Sequence, residues 1–232
     1  MSDPLIPADT RAVFFDAVGT VLHPTPGAPV VYAEAAARYG LPADPAAILE
    51  RFRAAFRREE EADERSDWVT SEGREVARWR TIVRETLPGA PDVCFELLYN
   101  HFARPDAWRV PEEAVALFDH LAGRGLRLGL ASNYDSRLES VLAGRPELAP
   151  LDGMVVISSR VGVRKPGAEF FARLTELSGC SHSEIVLVGD DYKTGFLGAT
   201  AAGMRAVLLD PKGRHPDMSE RVAALGDLLR SS

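Results

Sequence analysis

Hydrophobic and polar positions divide the chain into stretches with different periods. Ala12-Val13-Phe14-Phe15 is a short unbroken apolar run, the pattern of a buried strand, and it ends at Asp16-Ala17-Val18-Gly19-Thr20. A loop rich in Pro and Gly follows from His23 to Pro29. From Val30 to about Phe102 apolar residues return only at helical spacing. Val31, Ala35 and Tyr39 mark one helix, stopped at Gly40. Asp44-Pro45 reads as an N-cap followed by proline in the first turn, with Ile48, Phe52, Ala55 and Phe56 as the apolar stripe. Val76, Trp79 and Val83 form a third stripe, stopped by Pro88; Val93, Leu97, Leu98 and Phe102 form a fourth. Four amphipathic helices in a row predict a small bundle. Within them, the charge-dense run Arg57 to Asp67 reads as a solvated helix end and turn.

After Pro105 the pattern changes to strand–helix alternation. Helices are expected over Pro111–Ala122, Ser136–Leu142, Ala168–Leu177 and Leu197–Ala202, and strands over Leu126–Ala131, Val155–Ile157, Ile185–Val188 and Ala206–Leu209. A last helix is expected to carry Val222, Leu225 and Leu228. This alternation predicts an α/β fold, a parallel sheet with helices on both faces, and in such sheets ligands bind beyond the carboxyl ends of the strands. The helical block interrupts the sheet just after its first strand. The expected division is a core of residues 1–23 and 106–232, with 24–105 as a four-helix cap inserted between them.

Composition and charge exclude several classes of protein. The 232 residues, 46% hydrophobic and 26% charged, suit a soluble core with one insert. The formal net charge of -7 argues against nucleic acid as a partner, which requires a concentrated basic surface, but leaves small phosphorylated molecules open. No apolar stretch reaches membrane-spanning length, and Met1 to Thr10 lacks the basic and apolar regions of a signal peptide. Cys94 and Cys180 form no CxxC pair and read as small buried hydrophobes in a reducing compartment. The expectation is therefore a cytoplasmic protein, a monomer or homodimer, with no membrane partner.

Four polar clusters stand just past strand ends or beside helix starts: Asp16 to Thr20, Ser132-Asn133, Arg164-Lys165 and Asp190-Asp191. Each alone has an ordinary explanation, as a turn carboxylate, a helix cap or a solvated lysine. Four on one sheet edge make a site. Asp16 after an apolar strand suits a nucleophile that forms an acyl or aspartyl-phosphate intermediate. Gly19-Thr20 permits a tight loop whose N–H groups face an anion. Ser132 suits a phosphoryl oxygen, and Lys165 would neutralise both Asp16 and developing negative charge. Asp190 and Asp191 add carboxylates that Lys165 cannot offset alone, and hard oxygen ligands with water suit Mg²⁺. Asp191 either ligates beside Asp190 or faces solvent. His23 and Tyr134 lie next to these clusters, as pocket lining or as structural residues.

In this order and spacing, Asp16-Ala-Val-Gly-Thr20, Ser132-Asn133, Lys165-Pro166 and Gly189-Asp190-Asp191 resemble the four motifs of the haloacid dehalogenase superfamily. The helix after the acidic loop, Ala199-Thr-Ala-Ala-Gly-Met204, is similar as well. The resemblance covers nearly the whole chain and implies a Rossmann-like core. It implies that Asp16 is the nucleophile, that the Val18 carbonyl joins Asp16 and Asp190 as a magnesium ligand, and that Ser132 and Lys165 hold the phosphoryl group. Gly19, Thr20 and Asn133 are expected to bind substrate beside them, and Asp191 is the further candidate metal ligand. The stretches around Trp108 and from Ser132 to Glu139 resemble a branch in which the position two after the nucleophile is often not acidic.

The sequence departs from the superfamily's phosphatases at two places. Val18 stands where a second Asp usually protonates the leaving group and activates water, help worth about 10²–10⁴-fold. Gly195 stands where the acidic loop usually has a further Asp, which weakens the metal site. Three functions follow. The first is a magnesium-dependent phosphatase of small phosphorylated metabolites, favouring leaving groups such as acyl phosphates that depart without a proton. The second is a degraded binding module. The third is a metal-independent 2-haloacid dehalogenase, for which halide likewise needs no proton. In each case a helical insert over the site would open and close to admit its ligand.

Overall fold

The computed structural model describes residues 4–230; residues 1–3 and 231–232, at the outer ends of the expected core, lie outside the described residues. Among the described residues eight strands are present: β1 (Ala12–Phe15), β2 (His23–Pro24), β3 (Trp108–Arg109), β4 (Arg127–Ser132), β5 (Val155–Ile157), β6 (Ile185–Gly189), β7 (Arg205–Leu209) and β8 (Arg221–Val222). The α-helices are α1 (Ala28–Arg38), α2 (Pro45–Arg65), α3 (Glu72–Thr86), α4 (Asp92–His101), α5 (Glu112–Gly123), α6 (Arg137–Ala143), α7 (Ser158–Val161), α8 (Ala168–Ser178) and α9 (Gly198–Ala201).

Six strands form one parallel sheet in the order β5-β4-β1-β6-β7-β8. Alternate residues of β1 explain why every position in it is apolar. Val13 and Phe15 face one side, where they pack with Leu117 and Phe118 of α5; Ala12 and Phe14 face the other, with Phe170 and Phe171 of α8. A strand covered on both faces has no solvated side and so shows no polar alternation. The neighbouring β6 repeats the pattern, with Val186 and Val188 in the first cluster and Ile185 and Leu187 in the second. The chain has the α/β, Rossmann-like architecture expected, and β1 and β6 at its centre deliver Asp16 and Asp190 side by side.

The four helices expected between Val30 and Phe102 are α1 to α4. They enclose a core of their own, with Tyr32, Ile48, Val83, Phe95 and Leu98 all buried. Asp44 caps α2 as its sequence predicts: its carboxylate accepts from the N–H groups of Ala46 and Ala47, each at 3.2 Å. The chain enters and leaves this helical insert at one place, because β2 and β3 pair antiparallel, His23 opposite Arg109 and Pro24 opposite Trp108.

The run Arg57–Asp67 is the largely exposed end of α2, as far as Arg65, and the turn after it, as expected, except that Asp63 within it is completely buried by arginines distant in sequence. Two expectations need correction. The last apolar triplet does not form a helix: Val222 lies in β8, which pairs with β7, and Leu225 and Leu228 sit in a 3₁₀ turn over Leu225–Leu229 packed on α5. The helix after the acidic loop begins one residue later than expected, at Gly198, and follows a π-helical turn over Tyr192–Leu197. Both cysteines are buried and unpaired, as the sequence suggests. Among the described residues no helix is long and apolar enough to cross a membrane.

Candidate active site

The first loop is built around strand pairing that continues past the end of β1. The Asp16 N–H donates to the Val188 carbonyl of β6 at 2.8 Å, which fixes the backbone at the sheet edge. The Asp16 carboxylate is then oriented from two sides. Its Oδ1 accepts from the Ala17 N–H at 2.8 Å and lies 3.0 Å from Lys165 Nζ. Lys165 is 1% exposed, and its ammonium also donates to the Ala131 carbonyl at the end of β4, 2.8 Å away. A buried ammonium must be matched, and here a carboxylate and a carbonyl do so. Asn133 clamps the lysine's own peptide group, accepting from Lys165 N–H at 2.8 Å and donating to Lys165 C=O at 3.1 Å. Both ends of the Asn133 amide are thus engaged in holding Lys165. Ser132, buried at the end of β4, lines the cleft beside it.

Gly19 and Thr20 lock the first loop to the acidic one. Gly19 has φ +92°, and a Cβ there would stand 2.2 Å from Asp190 Oδ2, so neither the backbone nor the space admits a side chain. Thr20 is buried; its Oγ1 accepts from the Asp190 N–H at 3.1 Å and donates to Asp190 Oδ1 at 3.4 Å. Asp190 reaches the cleft but is crowded by protein behind it. Burial, then the charges of Asp16 and Asp191, push its carboxyl up to about 7. Asp191 turns partly away, with Oδ1 accepting from Thr194 N–H at 2.7 Å to cap the following turn. Val18 is exposed at the cleft, where it offers no side-chain acid.

Asp16 and Asp190 are the carboxylates that could hold a divalent cation here, with the Val18 carbonyl as a third oxygen. Among the described residues no cluster of three or more acidic, His or Cys side chains is close enough to hold a metal alone. That is a sparse donor set. It fits Mg²⁺, which keeps several waters and takes one or two carboxylates plus substrate oxygens. The raised Asp190 carboxyl points the same way, since crowded carboxylates with one lysine between them gain most from a cation.

The residue before Lys165 serves a different purpose. Arg164 is buried and its Nη1 bonds Glu75 of α3, while its Nε lies 3.6 Å from Asp63 of α2. Asp63 also receives Arg74 Nη2 at 2.6 Å and Arg78 Nε at 3.0 Å, and Glu75 receives the Thr70 hydroxyl at 2.8 Å. The backbone follows: Arg164 N–H donates to Trp68 C=O and Thr70 N–H to Gly162 C=O, each at 2.9 Å. Trp68, at φ 62°, holds a left-handed conformation that is rare for a bulky residue. The α2–α3 turn is therefore docked on the loop that carries Lys165.

Together these elements enclose a cleft of about 570 Å³. Asp16, Val18, Ser132, Lys165, Asp190 and Asp191 form its floor. Its roof is largely aromatic and cationic, with Phe52, Phe56 and Trp79 from the insert and Trp108 and Tyr134 near the β2–β3 ladder. Tyr134 is buried in that wall, its hydroxyl donating to Phe102 C=O at 3.3 Å. His23 is not on the lining; it pairs in β2 and its ring is half-buried, with burial and Arg109 lowering its pKa. Sequence reasoning missed Arg78, Arg137 and Arg214 on the lining. Arg137 had a local signal, because it forms a bidentate pair with Asp135 two residues before it, both bonds at 2.7 Å.

Comparison with known proteins bears on the fold and the family. The chain is 30% identical over 224 residues to haloacid dehalogenase-like hydrolase domain-containing protein 3 of Homo sapiens, covering 91% of this chain and 87% of that protein. It is 32% identical over 152 residues to a phosphoserine phosphatase of Thermus thermophilus, 63% of this chain and 61% of the relative. Its fold is similar to that of YfnB from Bacillus subtilis, solved bound to magnesium, with a TM-score of 0.74, 18% identity, and coverage of 95% and 97% of the two chains. A family model for haloacid dehalogenase-like hydrolases matches residues 10–203, and the chain belongs to that family.

Proposed function

We propose that this hydrolase is a magnesium-dependent phosphatase of small phosphorylated metabolites, acting through an aspartyl-phosphate on Asp16. The observation that carries the reading is the Asp16–Lys165 contact at 3.0 Å beside the charge-crowded Asp190. A phosphatase needs a carboxylate nucleophile and a positive environment for the phosphoryl group in one place, and the floor of the cleft supplies both. Relatives with phosphatase names and the magnesium bound to YfnB support the choice.

In this reading an Asp16 carboxylate oxygen attacks phosphorus, the bond to the leaving oxygen breaks, and water then hydrolyses the acyl phosphate to regenerate Asp16. Lys165, fixed by Ala131 C=O and by Asn133, orients the nucleophile and compensates charge on the phosphoryl oxygens. Ser132 donates to those oxygens. Asp16, Asp190 and the Val18 carbonyl would hold magnesium, which when bound neutralises charge on the phosphate; Asp191 adds negative charge while capping its turn. Val18 cannot protonate the leaving group, so esters whose leaving group departs as a stable anion are favoured. The insert serves as a cap over the floor.

The test is hydrolysis of p-nitrophenyl phosphate and acetyl phosphate with Mg²⁺ and with EDTA, by the native protein and by Asp16→Asn. Turnover that depends on the metal and disappears in Asp16→Asn is expected. Turnover that persists in the variant would sink the proposal. A second reading, a 2-haloacid dehalogenase, draws on Val18 in the cleft, since halide needs no proton. Halide release from 2-chloropropionate in EDTA would favour it.

A further inference from the structure

The floor of the cleft accounts for the binding of one phosphoryl group. The roof carries charge that this group does not require. Seven cationic side chains line the cleft, in a protein whose formal net charge is -7. Four of them are matched by carboxylates: Arg78 by Asp63, Arg137 by Asp135, Arg164 by Glu75, and Lys165 by Asp16. Arg53, Arg57 and Arg214 have no carboxylate within ion-pair distance among the described residues. Arg53 and Arg57 stand one turn apart on α2, each directly following an aromatic residue of the lining, Phe52 and Phe56.

The aromatic residues give this cationic edge a flat apolar neighbour. The Phe52 and Phe56 rings stack at 6.0 Å between centroids, and Phe56 meets Trp79 at 6.3 Å. The Arg78 guanidinium lies 4.6 Å from the Phe56 centroid, and its Nη2 is buried without a hydrogen-bond acceptor. A buried donor with no acceptor is uncommon, and it leaves Arg78 with hydrogen-bonding capacity unused at this wall. An aromatic surface edged by unpaired guanidinium groups suits a planar body ending in an anion, which arginine binds through its donor fork.

We infer that the substrate is a phosphate ester with two anionic ends: the phosphoryl group on the floor, a flat apolar body against Phe52, Phe56 and Trp79, and a second anion, of the carboxylate or phosphate class, received by Arg53 and Arg57. This rests on the phosphatase reading of the floor. Arg53 and Arg57 determine specificity and take no part in the chemical step.

The experiment compares phenyl phosphate with 4-carboxyphenyl phosphate, a longer carboxybiphenyl phosphate, and phenyl esters bearing a second phosphate, using the native protein and the double variant Arg53→Gln/Arg57→Gln. Both positions are exposed, so the variant keeps the core packing. The native protein should show a KM at least about tenfold lower for at least one of the two-anion esters, the gain of a charge-assisted hydrogen bond. In the variant this ratio should approach one. Equal KM values in the native protein, or a preference that survives in the variant, would overturn the inference. If no ester is turned over, the floor reading fails by itself and binding still decides. Quenching of tryptophan fluorescence by benzylphosphonate and by its 4-carboxy and 4-phosphono derivatives should show the same preference and the same loss. Equal quenching by all three, or none, counts against a second anion site.

Discussion

Arg164 and Lys165 are neighbours in sequence, both buried and both charged, yet they belong to opposite kinds of polar cluster. Around Arg164 the charges balance: Arg74, Arg78 and Arg164 meet Glu59, Asp63 and Glu75. Around Lys165 they do not, since one ammonium faces Asp16 with Asp190 and Asp191 beside it. The first cluster has its charges matched within the protein, and it joins α2 and α3 to the core. The second holds more carboxylates than cationic side chains and opens to a cleft. Imbalance next to a cavity, rather than burial or charge alone, distinguishes a site from a joint.

Neutralising the balanced cluster should have the largest effect. Asp63→Asn keeps the shape but leaves three arginines sharing one charge fewer, and removing one partner of a buried pair typically costs about 3–5 kcal/mol. We expect a clear fall in the denaturation midpoint by urea titration; a loss below about 1 kcal/mol would show that this cluster is as dispensable as a surface pair. Lys165→Met acts on the unbalanced cluster. It should leave the protein folded and lower kcat by about 10²–10³-fold, the scale set by losing one electrostatic contact to a transition state. If Lys165→Met unfolds the chain instead, the lysine belongs with the joint.

The smallest effect sharpens the same contrast through pH. The Asp190 carboxyl is raised in the folded protein relative to the unfolded chain, so folding takes up a proton between the ordinary carboxylate range and about 7. Without metal, the stability contributed by this group is highest at low pH and is lost as pH rises toward 7. Thermal melts in EDTA should therefore show a downward trend over that window, flattened in Asp190→Asn and countered by Mg²⁺. The same slope in both proteins would remove Asp190 as its source.

Much of this molecule was legible in the order of its residues, for reasons that also explain the rest. The strand Ala12–Phe15 and the four helical stripes announce themselves because local periodicity and burial coincide. The acidic and basic clusters at strand ends place the floor, because a parallel sheet gathers its carboxyl ends on one edge. Asp63 could not be read. Its partners lie 11, 15 and 101 residues away, and a charge run looks the same whether its charges meet water or distant arginines. The triplet Val222, Leu225 and Leu228 misled for another reason: spacing by three fits a helix and equally a short strand followed by a 3₁₀ turn. The roof of the cleft was invisible as a unit because it is assembled from separate elements.

The β2–β3 ladder has a consequence for how such a chain can vary. Pro24 lies opposite Trp108, so everything between them is an excursion that begins and ends at one doorway. The entropy of closing a loop grows only with the logarithm of its length. Lengthening, shortening or exchanging the excursion therefore changes little at the doorway, and the pairing of β1 with β4 and β6 need not shift. Selection can replace the guest, and with it whatever the guest recognises, while the host keeps its chemistry in register.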